Sequence, residues 1–455
     1  MNDRRASTAL ISIATLTLSF AALAAPIARA AVAPPPTRLS LADAVAFAAG
    51  RAPAVVEAGY RTREAEARRN QARAALLPSI SGAASQSNRT YNSRTFGFSF
   101  PTVPGVPGFP ELVGPFDVSD ARLYASQTLF DPAGYERWRA AGVGVEASRA
   151  AGVSSADQAS MVAAVAYLSL LRADAQVAAS REDSVLAAEL DDLAKSRLAS
   201  GVSPAIDATR ARTELSRARS LVTMAGTNRS RAEIDLARAL GVEPGHRFEL
   251  ADSLSEVLGS SAAPHDSAAA LVLAAERRPD LAAADAEVRR IRAERTAIQA
   301  ERLPKLDLTA NWGASGQHFD QAIATREVGI AVTLPIVDGL RREGRVTEQT
   351  AQLGTAEVRA RDLRDQAAAE IESAMLDFEN GMQQVDFAHE RLGLAAEELA
   401  QARERFTTGV AGNNEVIDAQ SSLVRAQEAD IEARYSVALA RVALARAVGV
   451  MQTVK

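Results

Sequence analysis

Residues 303–339 read LPKLDLTANWGASGQHFDQAIATREVGIAVTLPIVDG, and this stretch decides how the rest of the chain can fold. Apolar and polar residues alternate on both sides of a glycine-rich and polar centre, which predicts strands at about 305–314 and 326–336. One apolar face and one polar face, over about ten residues per strand, are typical of a membrane β-barrel. A soluble, half-buried sheet is the alternative for either strand taken alone. The residues predicted to face lipid are Leu306, Leu308, Trp312, Val328, Ile330, Val332 and Leu334.

Long helices are predicted after these strands. Pro335 is the last proline, and the chain beyond it is interrupted only near 409–414, where Gly409 and Val410 predict a turn. In the final segment, apolar and small residues recur at a spacing of three and four, which predicts coiled-coil packing. The members of this seam are Val416, Ala419, Leu423, Ala426, Asp430, Ala433, Val437, Ala440, Leu444 and Ala447.

The same order of features occurs in the first half of the chain, which indicates a tandem duplication. Leu77-Pro78 precedes weaker strands predicted at about 79–90 and 119–130. A long proline-free run follows and reaches a second Gly-Val turn at Gly201 and Val202. The predicted organisation is a first structural repeat over 31–242, an inter-repeat linker over 243–266 and a second structural repeat over 267–455.

The beginning of the chain predicts a secretory signal peptide over residues 1–30. Two arginines precede an apolar stretch from Ala9 to Leu23, and Ala28-Arg29-Ala30 is a small-residue cleavage site. The apolar stretch is shorter than the ~20 residues that span a bilayer, although a single anchoring helix is the alternative. No later segment reaches that length without charges. A membrane crossing would therefore use strands.

Composition argues against several classes of protein. The chain has no cysteine, which excludes disulfides, thiolate metal sites and a catalytic thiol. Its formal net charge of −5 argues against a nucleic-acid partner, which requires a basic surface. The four histidines are isolated, and no sequence motif of a hydrolase or a nucleotide-binding enzyme is present. The sequence therefore predicts no enzyme activity and no cofactor.

Four strands per chain cannot close a barrel, and an open sheet edge is not tolerated in lipid. The edge strands must therefore pair with other copies of the chain. Three copies give twelve strands and a wide lumen, whereas two copies give eight strands and little pore, and a conduit favours three. The predicted fold class is mainly α with a small membrane β-barrel. Each chain supplies four strands and a long antiparallel coiled coil, completed in a trimer as a 12-stranded barrel and a helical barrel.

Three carboxylates near the Gly-Val turns are candidate functional residues. Glu415 and Asp207 each lie six residues after the glycine of their turn, and Asp418 follows Glu415 by three. One interpretation is that they stabilise helix N-termini, where the helix dipole favours negative charge. The other is that symmetry turns a carboxylate near the tube axis into a ring of like charges, which binds cations and could control opening of that end. This second interpretation favours Glu415 and Asp418 over Asp207.

Residues 96–116 contain five prolines and connect the first pair of strands. Prolines at this density prevent regular structure, so the sequence predicts an exposed loop, with a plug or an adhesive tip as alternatives.

The chain resembles the TolC-like outer membrane efflux protein family over nearly all of its mature length. The segments that carry the resemblance are Leu41-Ala42-Asp43-Ala44-Val45, Leu77-Pro78, Arg278-Pro279-Asp280-Leu281, Leu303-Pro304, Pro335-Ile336-Val337-Asp338-Gly339 and the two Gly-Val turns. The resemblance implies a homotrimer in the outer membrane that extends into the periplasm. It also implies a periplasmic adaptor protein and an inner-membrane transporter as partners, and leaves the cargo open among drugs, metal ions and polypeptides.

Residue roles follow from the same resemblance. It implies that Gly201, Val202, Gly409 and Val410 dock the adaptor, and that Glu415 and Asp418 narrow the periplasmic entrance. Family members that lock the closed tip with an ion pair between hairpins carry a basic residue two places after the second glycine. This chain has Ala411 there, which argues against that latch to Asp207. The alternative function is a periplasmic coiled-coil adaptor or scaffold that does not enter the membrane.

Overall fold

The structure is a computed structural model that describes residues 38–97, 110–243, 245–254 and 266–453. The predicted signal peptide (1–30) lies outside the described residues, as do residues 98–109 of the predicted proline-rich loop. The described residues belong to one structural unit, Arg38–Lys455.

The first half of the chain passes from short helices to strands and then to long helices. Its elements are β1 (Arg38–Leu39), α1 (Leu41–Arg51), α2 (Pro53–Ala74), β2 (Ser79–Asn92), β3 (Leu112–Phe130), α3 (Pro132–Ala199) and α4 (Ala205–Leu240). The second half repeats this order, beginning with the short strand β4 in the place of β1. Its elements are β4 (Glu249–Leu250), α5 (Ser267–Arg277), α6 (Pro279–Ala300), β5 (Lys305–Gly316), β6 (Ile323–Thr333), α7 (Arg341–Thr407) and α8 (Asn413–Ala447). We refer to α3 and α4 as the first hairpin, and to α7 and α8 as the second hairpin.

Four strands form one antiparallel sheet in the order β2-β3-β5-β6. The register aligns the predicted apolar positions, because Leu306 lies opposite Val332 and Leu308 lies opposite Ile330. Among the described residues, β2 and β6 pair on one side only, so each chain presents two free sheet edges.

The limits of β3 and β6 differ most from the predicted ones, and β6 spans Ile323–Thr333 instead of 326–336. β3 begins at Leu112, so part of the predicted 96–116 loop is strand; Gly114 and Pro115 together lie opposite the single residue between Arg89 and Tyr91, and this bulge in β3 accommodates the missing N–H of Pro115. β6 ends at Thr333 instead of 336, because Pro335 cannot donate to the ladder. Leu334, predicted to face lipid within a strand, therefore lies just beyond it.

The long helix α3 continues directly from β3, with only Asp131 between them. Asp131 caps α3 by accepting a hydrogen bond from the Gly134 N–H at 2.9 Å, and Pro132 occupies the first turn, where its missing N–H costs nothing. The 68 residues of α3 extend over about 100 Å. Among the described helices, α3 alone contains an 18-residue window apolar enough to cross a membrane, with a mean hydropathy of 1.3. Slightly less than half of that window, 44%, is buried inside the single chain.

The main core lies about midway along the long helices, where both halves of the chain meet. Tyr167 of α3, Ile371 of α7 and Leu240 of α4 are fully or almost fully buried there. The single proton of the Tyr167 hydroxyl is shared between the Leu39 carbonyl, at 2.9 Å, and the Asp252 carboxylate, at 3.0 Å, which fixes the parallel pair of β1 and β4 against the helices. The described part of the inter-repeat linker thus packs into the core.

A second apolar cluster lies nearer the turns that end the two hairpins. It joins α3 to the second hairpin through Leu190, Leu399, Phe406 and Val416. The predicted coiled-coil seam of α8 is buried at every position except Ala433, which is half-buried. Alanine supplies many of these contacts, so the helices pack closely with little side-chain volume between them.

Candidate functional site

The two hairpins end in turns of the same design. Gly201 has φ = +73° and Gly409 has φ = +81°, a left-handed conformation that strains any residue with a Cβ atom. The next amide in each turn donates back to the helix: Val202 N–H to the Arg197 carbonyl and Val410 N–H to the Arg405 carbonyl, both at 2.9 Å. These bonds are those of a Schellman motif, which closes a helix C-terminus.

Both turns present an apolar side chain to solvent. Val202 is 65% exposed and Val410 is 71% exposed. A valine at the tip of a tight turn contributes nothing to the core of its own chain. The two sequence-predicted docking turns are therefore similar in backbone and in exposed surface, which suits them to contact another molecule.

The three candidate carboxylates differ sharply in environment. Asp207 is 8% exposed and lies in the first turn of α4, where its backbone carbonyl accepts a hydrogen bond from Asn413 Nδ2 at 3.0 Å. Glu415 and Asp418 are exposed near the start of α8. Neither helix has a side-chain hydrogen bond at its N-cap, so the structure shows no capping bond from these carboxylates.

Glu415 has a partner within its own hairpin. Arg405, in the last turn of α7, places its Nε 2.9 Å from the Glu415 carboxylate, with both side chains about half exposed. This ion pair ties the end of α7 to the start of α8. Asp418 has no such pair among the described residues, so it is the freer of the two predicted entrance carboxylates.

Arg197 connects the two hairpins at the tips. Its guanidinium donates to the carbonyl of Phe406 and, at 3.3 Å, to the carbonyl of Thr407. These carbonyls belong to the C-terminal turn of α7, where a cation is favoured by the helix dipole. Sequence reasoning missed Arg197. The available signal was its position four residues before Gly201, which matches that of Arg405 before Gly409.

The sheet has one apolar face and one polar face. Trp312, Val328, Ile330 and Val332 are each more than 60% exposed in the single chain, and Leu306 and Leu308 on the same face are half-buried. Opposite-face side chains hydrogen-bond across strands: Arg122 donates to Asn311 at 2.7 Å, and Asn311 donates to Glu327 at 2.9 Å. Such a division suits a sheet with lipid on one side and water on the other.

The ranges that the structure describes contain no cluster of three or more histidine, cysteine, aspartate or glutamate side chains placed to hold a metal ion.

Comparison with known proteins agrees with this architecture. A sequence model of the outer membrane efflux protein family matches residues 47–242 and 270–450. The outer membrane efflux protein BepC of Brucella suis is 27% identical over 267 residues, which are 57% of this chain and 56% of BepC. The outer membrane protein OprJ of Pseudomonas aeruginosa is 26% identical over 219 residues, which are 47% of this chain and 43% of OprJ. The matched segments thus span about half the length of these two relatives.

Among solved structures, the fold is similar to that of the Campylobacter jejuni CmeC outer membrane channel. The TM-score is 0.75 at 19% sequence identity, and the match covers 90% of this chain and 85% of the CmeC chain. At this level of identity the similarity concerns the fold.

Proposed function

The chain belongs to the outer membrane efflux protein family, and on that premise we propose that three copies form a passive exit duct across the outer membrane and the periplasm. The observation that carries this proposal is the four-stranded sheet with one apolar face and two free edges. An apolar face of this size on a soluble protein would be costly in water, whereas in a bilayer it is the required surface.

Edge pairing between copies supports closure of the barrel. β2 and β6 are the outer strands of an antiparallel sheet with an even number of strands, so β6 of one copy can pair antiparallel with β2 of the next. Three copies supply twelve strands and leave a lumen, whereas two supply eight, whose interior is nearly filled by side chains. The 12-stranded closed barrel and the trimer are parts of the proposal.

The long helices suit the periplasmic part of a duct. At about 100 Å, α3 carries the chain far from the sheet, and the paired hairpins place their tips at the distal end. The exposed valines Val202 and Val410 offer apolar contacts to an adaptor protein, which would link the duct to an inner-membrane transporter. Transport through such a duct would take its energy from that partner.

The entrance would be narrowed by the carboxylates of the second hairpin. Exposed Glu415 and Asp418 stand near the tips, so in a trimer each would be present three times around the axis. Rings of this kind attract cations, and their side chains reduce the free width of the entrance.

A direct test of the duct is single-channel recording from purified protein in planar bilayers. Discrete conductance steps, recovery in the outer membrane fraction and heat-modifiable migration on gels are expected. A protein that stays in the periplasmic fraction and gives no steps would instead be the coiled-coil adaptor or scaffold.

Docking can be tested separately in cells. A photo-crosslinking residue at Val202 or Val410 should capture a periplasmic partner, whereas the same residue at Val153, which is 59% exposed but lies far from the tips, should not. Equal capture at all three positions would argue against docking at the turns.

A further inference from the structure

A buried polar pair joins the two hairpins within their apolar seam. Asp183 of α3 is 3% exposed and Gln420 of α8 is 1% exposed. Gln420 Nε2 donates to the Asp183 carboxyl oxygen Oδ1 at 2.7 Å and lies 3.4 Å from the Asp183 backbone carbonyl. Polar side chains buried this deeply normally satisfy all their hydrogen-bonding atoms.

Two oxygens of this pair have no partner among the described residues. They are Asp183 Oδ2 and Gln420 Oε1, both buried. With an ionised Asp183 both atoms are acceptors, so neither can satisfy the other. A proton on Oδ2 would turn one of them into a donor, and the acid and the amide could then exchange two hydrogen bonds. The mismatch is therefore removed by one proton.

The charged groups around Asp183 do not require it to be ionised. Glu214 and Arg217 face it from α4, and they pair with each other at 2.6 Å, so the arginine charge is already balanced. Burial raises the pKa of Asp183, the Gln420 hydrogen bond and the Arg217 charge lower it, and the Glu214 charge raises it, with a net rise above the ordinary value of 3.8. On α8 the group in contact with Asp183 is the neutral Gln420.

Asp183 borders a cleft through which protons can reach it, and it lies close enough to the hairpin tips to affect how they pack. Asp183 borders a cleft of about 200 Å³ together with Ser180, Met224 and Val424. It also lies 16 residues before the end of α3 at Ala199, or about 24 Å along the helix from the tip. A change in the contact between α3 and α8 at this point would alter the angle at which the two hairpins approach.

We propose that Asp183 is held as a neutral carboxylic acid paired with Gln420, and that its ionisation loosens the contact between the two hairpins. A pKa that is higher in the folded state means that the folded state binds the proton more tightly than the unfolded one. The contact is strongest below the unfolded value near 3.8 and weakens as the pH rises to the folded value. The contact between the hairpins is thus tight in acid and loosens as the pH rises through the folded pKa of Asp183. The proposal rests on the buried pair and is independent of the proposed duct.

The protonation state can be read by infrared spectroscopy of the full-length protein in detergent at neutral pH. A protonated-carboxyl C=O band is expected, and Asp183→Asn should remove its Asp183 component. Asp157→Asn is the matched control, because Asp157 also lies on α3 with a pKa raised by burial, so its loss should leave the Asp183 component in place. If Asp183→Asn leaves the band unchanged, Asp183 is ionised and the proposal is wrong.

The movement can be read by the distance between two spin labels. The chain has no cysteine, so Ala178→Cys on α3 and Arg425→Cys on α8 give two unique exposed attachment sites. The distance between the labels should increase as the pH is raised in the otherwise unaltered protein, and should be independent of pH in the Asp183→Asn background. Asparagine keeps the shape of the neutral acid and can exchange two hydrogen bonds with Gln420.

A second variant keeps the test decisive if asparagine perturbs packing. In Gln420→Glu, two carboxyls share the buried site, and at neutral pH the labels should lie further apart than in the parent, with closure restored by acid. If the distance between the labels does not change with pH in the parent protein, the proposed role of Asp183 is wrong, whereas the proposed duct is not affected.

Discussion

The guanidinium of Arg197, on the first hairpin, lies over the ring of Phe406, on the second, with 4.7 Å between the guanidinium carbon and the ring centroid. Phe406 is 1% exposed, so the arginine covers an aromatic ring that is anchored in the apolar cluster near the tips. The same guanidinium donates to two carbonyls at the end of α7. One side chain therefore holds the hairpins together by stacking and by capping.

Replacing Arg197 should loosen the tips. Loss of a partly desolvated cation–π contact and of bonds to a helix C-terminus removes about 1–2 kcal/mol in Arg197→Ala. This energy corresponds to about a 5- to 30-fold shift from closed to open tips, measured as open probability in planar bilayers. Arg405→Ala is the matched control, because Arg405 occupies the equivalent position but pairs with Glu415 inside its own hairpin. Equal effects of the two variants would contradict the role of Arg197 in holding the two hairpins together.

The glycine of the second turn should not tolerate a side chain. Gly409→Ala places a Cβ in the left-handed region at a cost of about 1–2 kcal/mol, so hydrogen exchange of tip peptides should become faster. Gly393→Ala is the same chemical change inside α7, where a Cβ meets no atom within 4 Å. It should stabilise the helix by about 0.5–1 kcal/mol and slow local exchange. Faster exchange in both variants would show that the turn geometry is not the cause.

The entrance carboxylates should control ion flow. In Glu415→Ala with Asp418→Ala, the smaller side chains should widen the entrance and increase conductance, and the loss of negative charge should reduce cation selectivity, both recorded in planar bilayers. Asp192→Ala removes an exposed carboxylate from α3, and should change neither quantity. Unchanged conductance in the double variant would contradict the proposal that these carboxylates narrow the entrance, but not the proposal that the protein is a duct.

The two faces of β6 should respond oppositely to charge. Ile330→Arg places a guanidinium on the apolar face, where the cost near the bilayer midplane is about 2–4 kcal/mol. Ala331→Arg, one residue further on, places it on the polar face beside Asp307. The first variant should lower the yield of heat-modifiable protein in the outer membrane fraction, and the second should not. If the two variants assemble equally well, the assignment of the faces is wrong.

Acid should weaken a buried ion pair that joins the two halves of the second repeat. Arg278 is 3% exposed and bonds Asp280 at 2.6 Å and Glu370 at 2.8 Å. Burial raises the pKa of Asp280, but the hydrogen bonds and the charge of Arg278 outweigh it and hold the pKa below 3.8. The stabilisation is therefore present above the unfolded value and is lost as the pH falls through the folded one.

Asp280→Asn should accordingly lower the free energy of unfolding by about 1–3 kcal/mol at neutral pH and by progressively less below pH ~4. The measurement is denaturant unfolding followed by circular dichroism. The matched control is Asp285→Asn, because Asp285 pairs with Arg364 at the surface and should have little effect at either pH. If Asp280→Asn lowers the free energy of unfolding by the same amount at every pH, Asp280 stabilises the fold by packing and not by its charge.

Local sequence pattern was enough to locate the strands and turns. Alternation along Leu306–Trp312 and Val328–Val332 predicts which face of the sheet is apolar, because side chains alternate across a strand whatever surrounds it. The spacing of three and four along α8 likewise predicts the buried seam. Such patterns repeat within a few residues and so can be read without knowing the tertiary contacts.

The carboxylates could be found in the sequence, but their environments could not. Asp207 and Glu415 occupy equivalent places after equivalent turns, yet the first is buried and the second is exposed and paired with Arg405. The start of β3 was also missed, because a proline within a strand is accommodated at a bulge, and this bulge exists only once β3 has paired with β2.

The sequence by itself determined the apolar and polar faces of the strands, the lengths of the helices and the positions of the turns, since each depends on neighbours within one or two turns of the chain. Only the tertiary structure decided that Arg197 reaches Phe406 and that Asp183 meets Gln420, residues that lie 209 and 237 positions apart. A charged or amide side chain on a long helix carries no local sign of its partner. Its role is fixed only when the duplicated hairpins pack against each other and exclude water from the seam between them.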